Sequence, residues 1–122
     1  MLLRSNGFTL IELIIVVVLI AILAVIAVPR FINLGTTAKQ NSTNSLAAAL
    51  AAASANNYAI RSADATQGST ISNCQNISAL LPSSLPAGYS ITATAISSGS
   101  SVSCTLTGLS GTSATFVGLG IN

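Results

Sequence analysis

From Phe8 to Val28 the chain reads "FTLIELIIVVVLIAILAVIAV", apolar at nearly every position, with Glu12 as the only charge. A run with no polar face to turn toward water predicts a helix that is apolar all round. Its 21 residues cover about 30 Å as a helix, the thickness of a bilayer's hydrocarbon core, so the segment can cross a membrane. "AVP" at Ala27 to Pro29 is a poor cleavage context, so removal as an ordinary secretory signal is not expected. Pro29 lacks a backbone donor and crowds the carbonyl four residues earlier, which predicts a break or bend near Val25 to Pro29. Beyond it the pattern turns amphipathic: Leu46, Leu50, Ala53, Asn57 and Ile60 recur at helical spacing, and Ala47 to Ala53 add helix propensity. The helix should therefore continue to about Ser62.

After Asp64 the period changes from helix to strand. Tyr89, Ile91, Ala93 and Ala95 share one side of "YSITATAI", Val102, Cys104 and Leu106 one side of "SVSCTL", and Ala114, Phe116 and Gly118 one side of "TSATFVGL". "SSGS" at Ser97 to Ser100 and "GLSG" at Gly108 to Gly111 supply turns, which predicts an antiparallel meander packed on the helix. Ahead of it, Ser72 with Gln75 three residues later reads as a capping box opening a short helix that Pro82 stops.

Charge and composition then exclude most chemistry. The chain has no His, only Glu12 and Asp64 as carboxylates, and no G-x-x-x-x-G-K-[ST] phosphate loop, so it does not read as an enzyme, and no cofactor or metal site is expected. Arg4, Arg30, Lys39 and Arg61 form no cluster, which argues against a broad cationic face for nucleic acid on one chain; many copies packed together could still offer one. Cys74 and Cys104 are the only cysteines. Linked, they would close a loop of about 31 residues and stabilise a small head by roughly 3–4 kcal/mol. Such a link implies an oxidising compartment. Two buried free thiols are the alternative.

An unpaired carboxylate inside lipid costs about 2.5–3.5 kcal/mol on insertion scales, so Glu12 needs a partner or lies near the interface. If the leader "MLLRSNG" were removed, the α-ammonium of Phe8 would stand one helical turn before Glu12, in the same chain or in a packed neighbour. Gly7, "FTLIE" from Phe8 to Glu12, the apolar run and Pro29 together resemble a type IV pilin of the IVa class. "VPRFINL" from Val28 to Leu34, with Ala38 and Lys39, is similar to the mannose-sensitive haemagglutinin group of pilins. The resemblance implies cleavage between Gly7 and Phe8 by a prepilin peptidase, N-methylation of Phe8, and assembly guided by Glu12 and the N-terminus of a neighbouring Phe8.

The expected fold is α+β, a pilin fold: a long N-terminal helical spine, half transmembrane and half amphipathic, against a three- to four-stranded antiparallel sheet. The parts are a leader at 1–7, a membrane and assembly helix at 8–29, its amphipathic continuation at 30–62, and a disulfide-linked head at 63–122. Implied partners are further copies of the chain, membrane lipid before assembly, the peptidase, an inner-membrane assembly platform with its ATPase, and an outer-membrane secretin. The expected place is the bacterial inner membrane with the head in the periplasm, then a surface filament serving adhesion, motility or DNA uptake. Two alternatives are a pseudopilin of type II secretion and a membrane-anchored monomeric adhesin. The pseudopilin's usual acidic calcium loop has no counterpart here, since Asp64 is the only carboxylate side chain after Arg61.

Overall fold

The computed structural model describes residues 6–122, the side chain of Ile32 excepted. Most of the expected leader, Arg4 included, lies outside the described residues. The fold is α+β: a long helix α1 (Leu10–Ala63), a 3₁₀ helix (Cys74–Leu80), and strands β1 (Ser90–Ile91), β2 (Ser101–Thr107) and β3 (Ser113–Leu119). The chain divides into two compact units, Met1–Thr36 and Thr37–Asn122.

In the first unit α1 is helical from Leu10 onward and continues through Pro29. The break expected there does not interrupt the helix, although a proline can give the Val25 carbonyl no N–H.

In the second unit the rest of α1 packs on the sheet. Thr43, Ala47, Leu50, Ser54 and Asn57 are buried, a 4-3-4-3 spacing that lines one helix face. The apolar stripe expected at Leu46, Leu50, Ala53, Asn57 and Ile60 is therefore rotated: Leu46 and Ala53 are half-buried and Ile60 is exposed. The reason is what lies opposite. Thr43 Oγ1 donates to the Lys39 carbonyl at 3.0 Å and shares a 2.7 Å hydrogen bond with Thr112 Oγ1. Ser54 Oγ accepts the Leu119 N–H at 2.9 Å. Buried backbone groups at turns and strand ends need partners, and small polar side chains supply them where leucine could not. Leu50, wholly buried, carries the apolar share, worth roughly 1.5–3 kcal/mol.

The strands form one antiparallel sheet in the order β1-β2-β3, with Cys104 opposite Phe116 and Leu106 opposite Ala114. The alternation expected of β2 and β3 is present: Cys104, Leu106, Phe116 and Gly118 are buried, while Val102 and Ala114 are half-buried. Their hairpin turns through Ser110 (φ 57°) and Gly111 (φ 74°), a left-handed pair whose second position suits glycine.

β1 departs from expectation. It is a strand only at Ser90–Ile91; Ala93 and Ala95 are exposed, and Ile96 is buried instead. Past Thr92 the chain leaves β2 for the segment before the 3₁₀ helix. Cys74 N–H donates to the Thr94 carbonyl at 2.9 Å and Ile96 N–H to the Ser72 carbonyl at 2.8 Å, forming the Asn73↔Ala95 bridge. The capping box lies one residue later than read from the sequence. Asn73 Oδ1 accepts the Gln75 N–H at 3.1 Å, and Asn76 Oδ1 accepts the Asn73 N–H at 2.9 Å. Asn73 also receives the Thr94 N–H at 3.3 Å, a bond that Ser72 is not placed to make. Cys74 and Cys104 are joined in a disulfide with Cα atoms 5.7 Å apart, both fully buried, tying the 3₁₀ helix to β2.

Candidate functional site

Thr9 stands immediately before α1 and closes its first turn with Glu12. Thr9 N–H and Thr9 Oγ1 both donate to Glu12 Oε2 at 2.9 Å, while the Glu12 N–H donates to Thr9 Oγ1 at 3.3 Å. This is a capping box, in which two otherwise unpaired donors at a helix start are satisfied reciprocally. It also sets a carboxylate at the positive end of the helix dipole. The pattern T-x-x-E ahead of an apolar run carries this helix start in the sequence, where the charge of Glu12 alone does not point to Thr9.

The geometry directs the Glu12 carboxylate backward along the chain, onto the amide one residue after Phe8. Asn6, Gly7, Phe8 and Glu12 line a hollow of about 180 Å³. Three sequence-predicted residues, Gly7, Phe8 and Glu12, thus come together. A Cβ added to Gly7 would meet nothing within 4 Å, and its φ is not in the left-handed region. The fold itself does not require glycine there.

From Phe8 to Val28 no large apolar side chain is less than 45% exposed. Covering such a side chain is worth roughly 1.5–3 kcal/mol, so this surface demands lipid or another protein against it. α1 is long and apolar enough in this stretch to cross a membrane. Pro29 falls just beyond the stretch. Cys74 and Cys104 belong to the core of the second unit and act structurally.

Residues 2–28 match the family model described as the prokaryotic N-terminal methylation motif. The chain carries a prepilin-type methylation motif. The matched span holds Gly7, Phe8, Thr9 and Glu12, so the capping box is part of the motif in this chain. The motif is of the kind carried by pilin- and pseudopilin-type substrates of prepilin peptidase, and together with the long apolar helix it fits a membrane-anchored precursor. No curated protein and no solved structure matches the chain.

Proposed function

We propose that this chain is a type IV pilin, the major subunit of a surface filament. The precursor sits in the inner membrane with its head in the periplasm, is cut between Gly7 and Phe8, is N-methylated on Phe8, and polymerises through its N-terminal helix. The observation that carries this reading is the methylation motif over residues 2–28 on a helix whose apolar surface is uncovered in the single chain. Helices drawn from lipid must bury such faces against one another, and that burial drives assembly.

Glu12 sets the register. In the subunit its carboxylate is held by Thr9; in the filament it would meet the α-ammonium of a neighbouring Phe8, which offsets the cost of removing it from water. Gly7, which the fold does not need, is what the peptidase requires. Loosening of α1 ahead of Pro29 would let packed helices adjust. Assembly platform, ATPase and secretin would act on this chain as substrate, and the finished filament would serve adhesion, motility or DNA uptake. The disulfide supports a head that matures in an oxidising compartment.

Immunogold microscopy with antibody to the head tests the reading, on cells and on filaments sheared from them. Label along surface fibres is the expected result. Label confined to the envelope, in cells that bear fibres, would replace the surface pilin with a secretion pseudopilin.

A further inference from the structure

Hydrogen bonds at the two ends of the β2–β3 ladder show which way each backbone group points. Gly108 N–H reaches the Thr112 carbonyl at 2.7 Å and Gly120 N–H the Ser100 carbonyl at 2.9 Å. Even-numbered residues of β2 and β3 therefore bond each other, and odd-numbered residues of β3 turn their N–H and C=O away from the sheet. The ends of that outward row are occupied by α1: Gln40 Nε2 donates to the Ser113 carbonyl at 2.8 Å, and the Leu119 N–H donates to Ser54 Oγ at 2.9 Å. Helix from Gln40 to Ser54 and strand from Ser113 to Leu119 each cover about 20 Å, so α1 runs alongside this edge. Midway, Thr115 and Val117 share with Ala47, Ala48 and Ala51 a groove of about 510 Å³. Alanine methyls offer no hydrogen bond. The N–H and C=O of Thr115 and of Val117 have no partner among the described residues.

The opposite edge of the sheet has the same form. Thr92 N–H donates to the Thr105 carbonyl at 3.0 Å, so even-numbered residues there face inward. The outward Ile91 carbonyl accepts Gln75 Nε2 at 3.2 Å. Thr94 and Ile96 bond inward to Cys74 and Ser72. Ala93 and Ala95 are left with outward N–H and C=O groups that have no partner among the described residues, and their side chains are exposed.

We propose that these two edges pair between copies of the chain, the segment Ala93–Ala95 of one copy adding as a strand beside Thr115–Val117 of the next. Each edge presents backbone donors and acceptors two residues apart, and the complement of that row is another strand edge. No charged residue lies on either edge or on the groove wall, so like copies meet there without charge repulsion. Ala93 and Ala95 are small enough to approach the alanine wall. Neither edge carries a lysine or proline, and β3 has no bulge; α1 holds only the ends of the β3 edge, at Ser113 and Leu119, and leaves Thr115 and Val117 between them exposed. β1 and β3 run in the same direction within one head, so copies sharing one orientation would pair these edges in parallel. Because the two surfaces differ, the contact is heterologous, and it extends as an open helical array when the rotation between copies does not close a ring. The inference rests on the filament reading above and names the head-to-head contact within it.

Paired cysteines test it in the full chain. Ala93→Cys with Thr115→Cys, and Ala95→Cys with Val117→Cys, are introduced, and filaments sheared from the cells are oxidised. At least one pair should give a ladder of disulfide-linked multimers, and each single substitution none. Normal filaments with no ladder from either pair overturn the edge pairing and leave the filament reading standing. A parent chain that forms no filaments overturns both. As a second variant, Val117→Pro removes one outward N–H and spares the ladder to β2, since an edge tolerates proline. The head should keep its disulfide and protease resistance while filament yield falls several-fold; unchanged yield with a folded head counts against the pairing.

Discussion

Asn57 and Ser69 hold each other through two hydrogen bonds: Asn57 Nδ2 donates to the Ser69 carbonyl at 2.9 Å, and the Ser69 N–H donates to Asn57 Oδ1 at 2.8 Å. Asn57 is buried on α1, so the pair fastens the loop after the helix back onto the helix. Asn57→Leu removes both bonds, but Ser69 is exposed, so water can take up its freed groups and each bond counts at its net worth of about 0.5–1.5 kcal/mol. Denaturant unfolding of the protein should show a loss of about 1–2 kcal/mol, and Asn57→Asp should lose less because one acceptor remains.

Cys74→Ser and Cys104→Ser test the other fastening. The bridge closes a loop with a sequence separation of 30, for which loop entropy predicts a loss of about 3–4 kcal/mol. Protease resistance and the melting temperature should fall for both variants by the same amount, since either change removes the same bond.

Gly118 admits no side chain. A Cβ there would lie 2.7 Å from Cys104 Sγ, 2.8 Å from Ile77 Cδ1 and 3.0 Å from Ile96 Cδ1. Overpacking of a core typically costs about 1–3 kcal/mol, and the disulfide leaves this one little room to yield. Gly118→Ala should lower the melting temperature, whereas Gly99→Ala, at a turn where a Cβ meets nothing within 4 Å but φ is +77°, should cost only its backbone strain.

At the N-terminus, Thr9→Val and Glu12→Ala separate cap from register. Both break the reciprocal capping box, a change worth about 1 kcal/mol at a helix start: Thr9→Val loses the two bonds of the hydroxyl and keeps the backbone N–H bond to Glu12, whereas Glu12→Ala loses both bonds to the carboxylate. Only Glu12→Ala also removes the charge. Both precursors should insert and be cut, as read by a mobility shift; Glu12→Ala should then fail to enter filaments. Normal filaments from Glu12→Ala would refute the register role, and equal failure of Thr9→Val would transfer it to the cap.

Asp64 gives the pH dependence. Thr66 donates to its Oδ1 from the hydroxyl at 2.7 Å and from the backbone N–H at 2.9 Å, and these bonds, the hydroxyl's first, hold the carboxyl below its ordinary range. Bonds that favour the ionised form stabilise the fold fully above the unfolded pKa and are lost as pH falls through the lowered folded one. An NMR titration should place Asp64 below a free aspartate, and Thr66→Val should move it back up.

The hydroxyl-rich half of the chain was readable where burial on one face leaves a period of two, as at Cys104, Leu106, Phe116 and Gly118. It was misread at Ala93 and Ala95, because alternating alanine and threonine looks the same whether the strand stays in the sheet or leaves it. What removed it was the Asn73 segment, close in space and some twenty residues earlier in sequence.

The sequence by itself determined the apolar run from Phe8 to Val28, the methylation motif, the T-x-x-E helix start, the strand order and the only possible cysteine pair, because each depends on near neighbours, on period or on composition. Only the tertiary structure decided which face of α1 turns inward. Around Ala47 to Ala53 the helix is small-sided almost all round, so apolar burial hardly distinguishes one rotation from another. Hydrogen bonds did distinguish them: Thr43 to Thr112, Ser54 to Leu119 and Asn57 to Ser69 form in one rotation, and their partners are brought near by the folded sheet and loop.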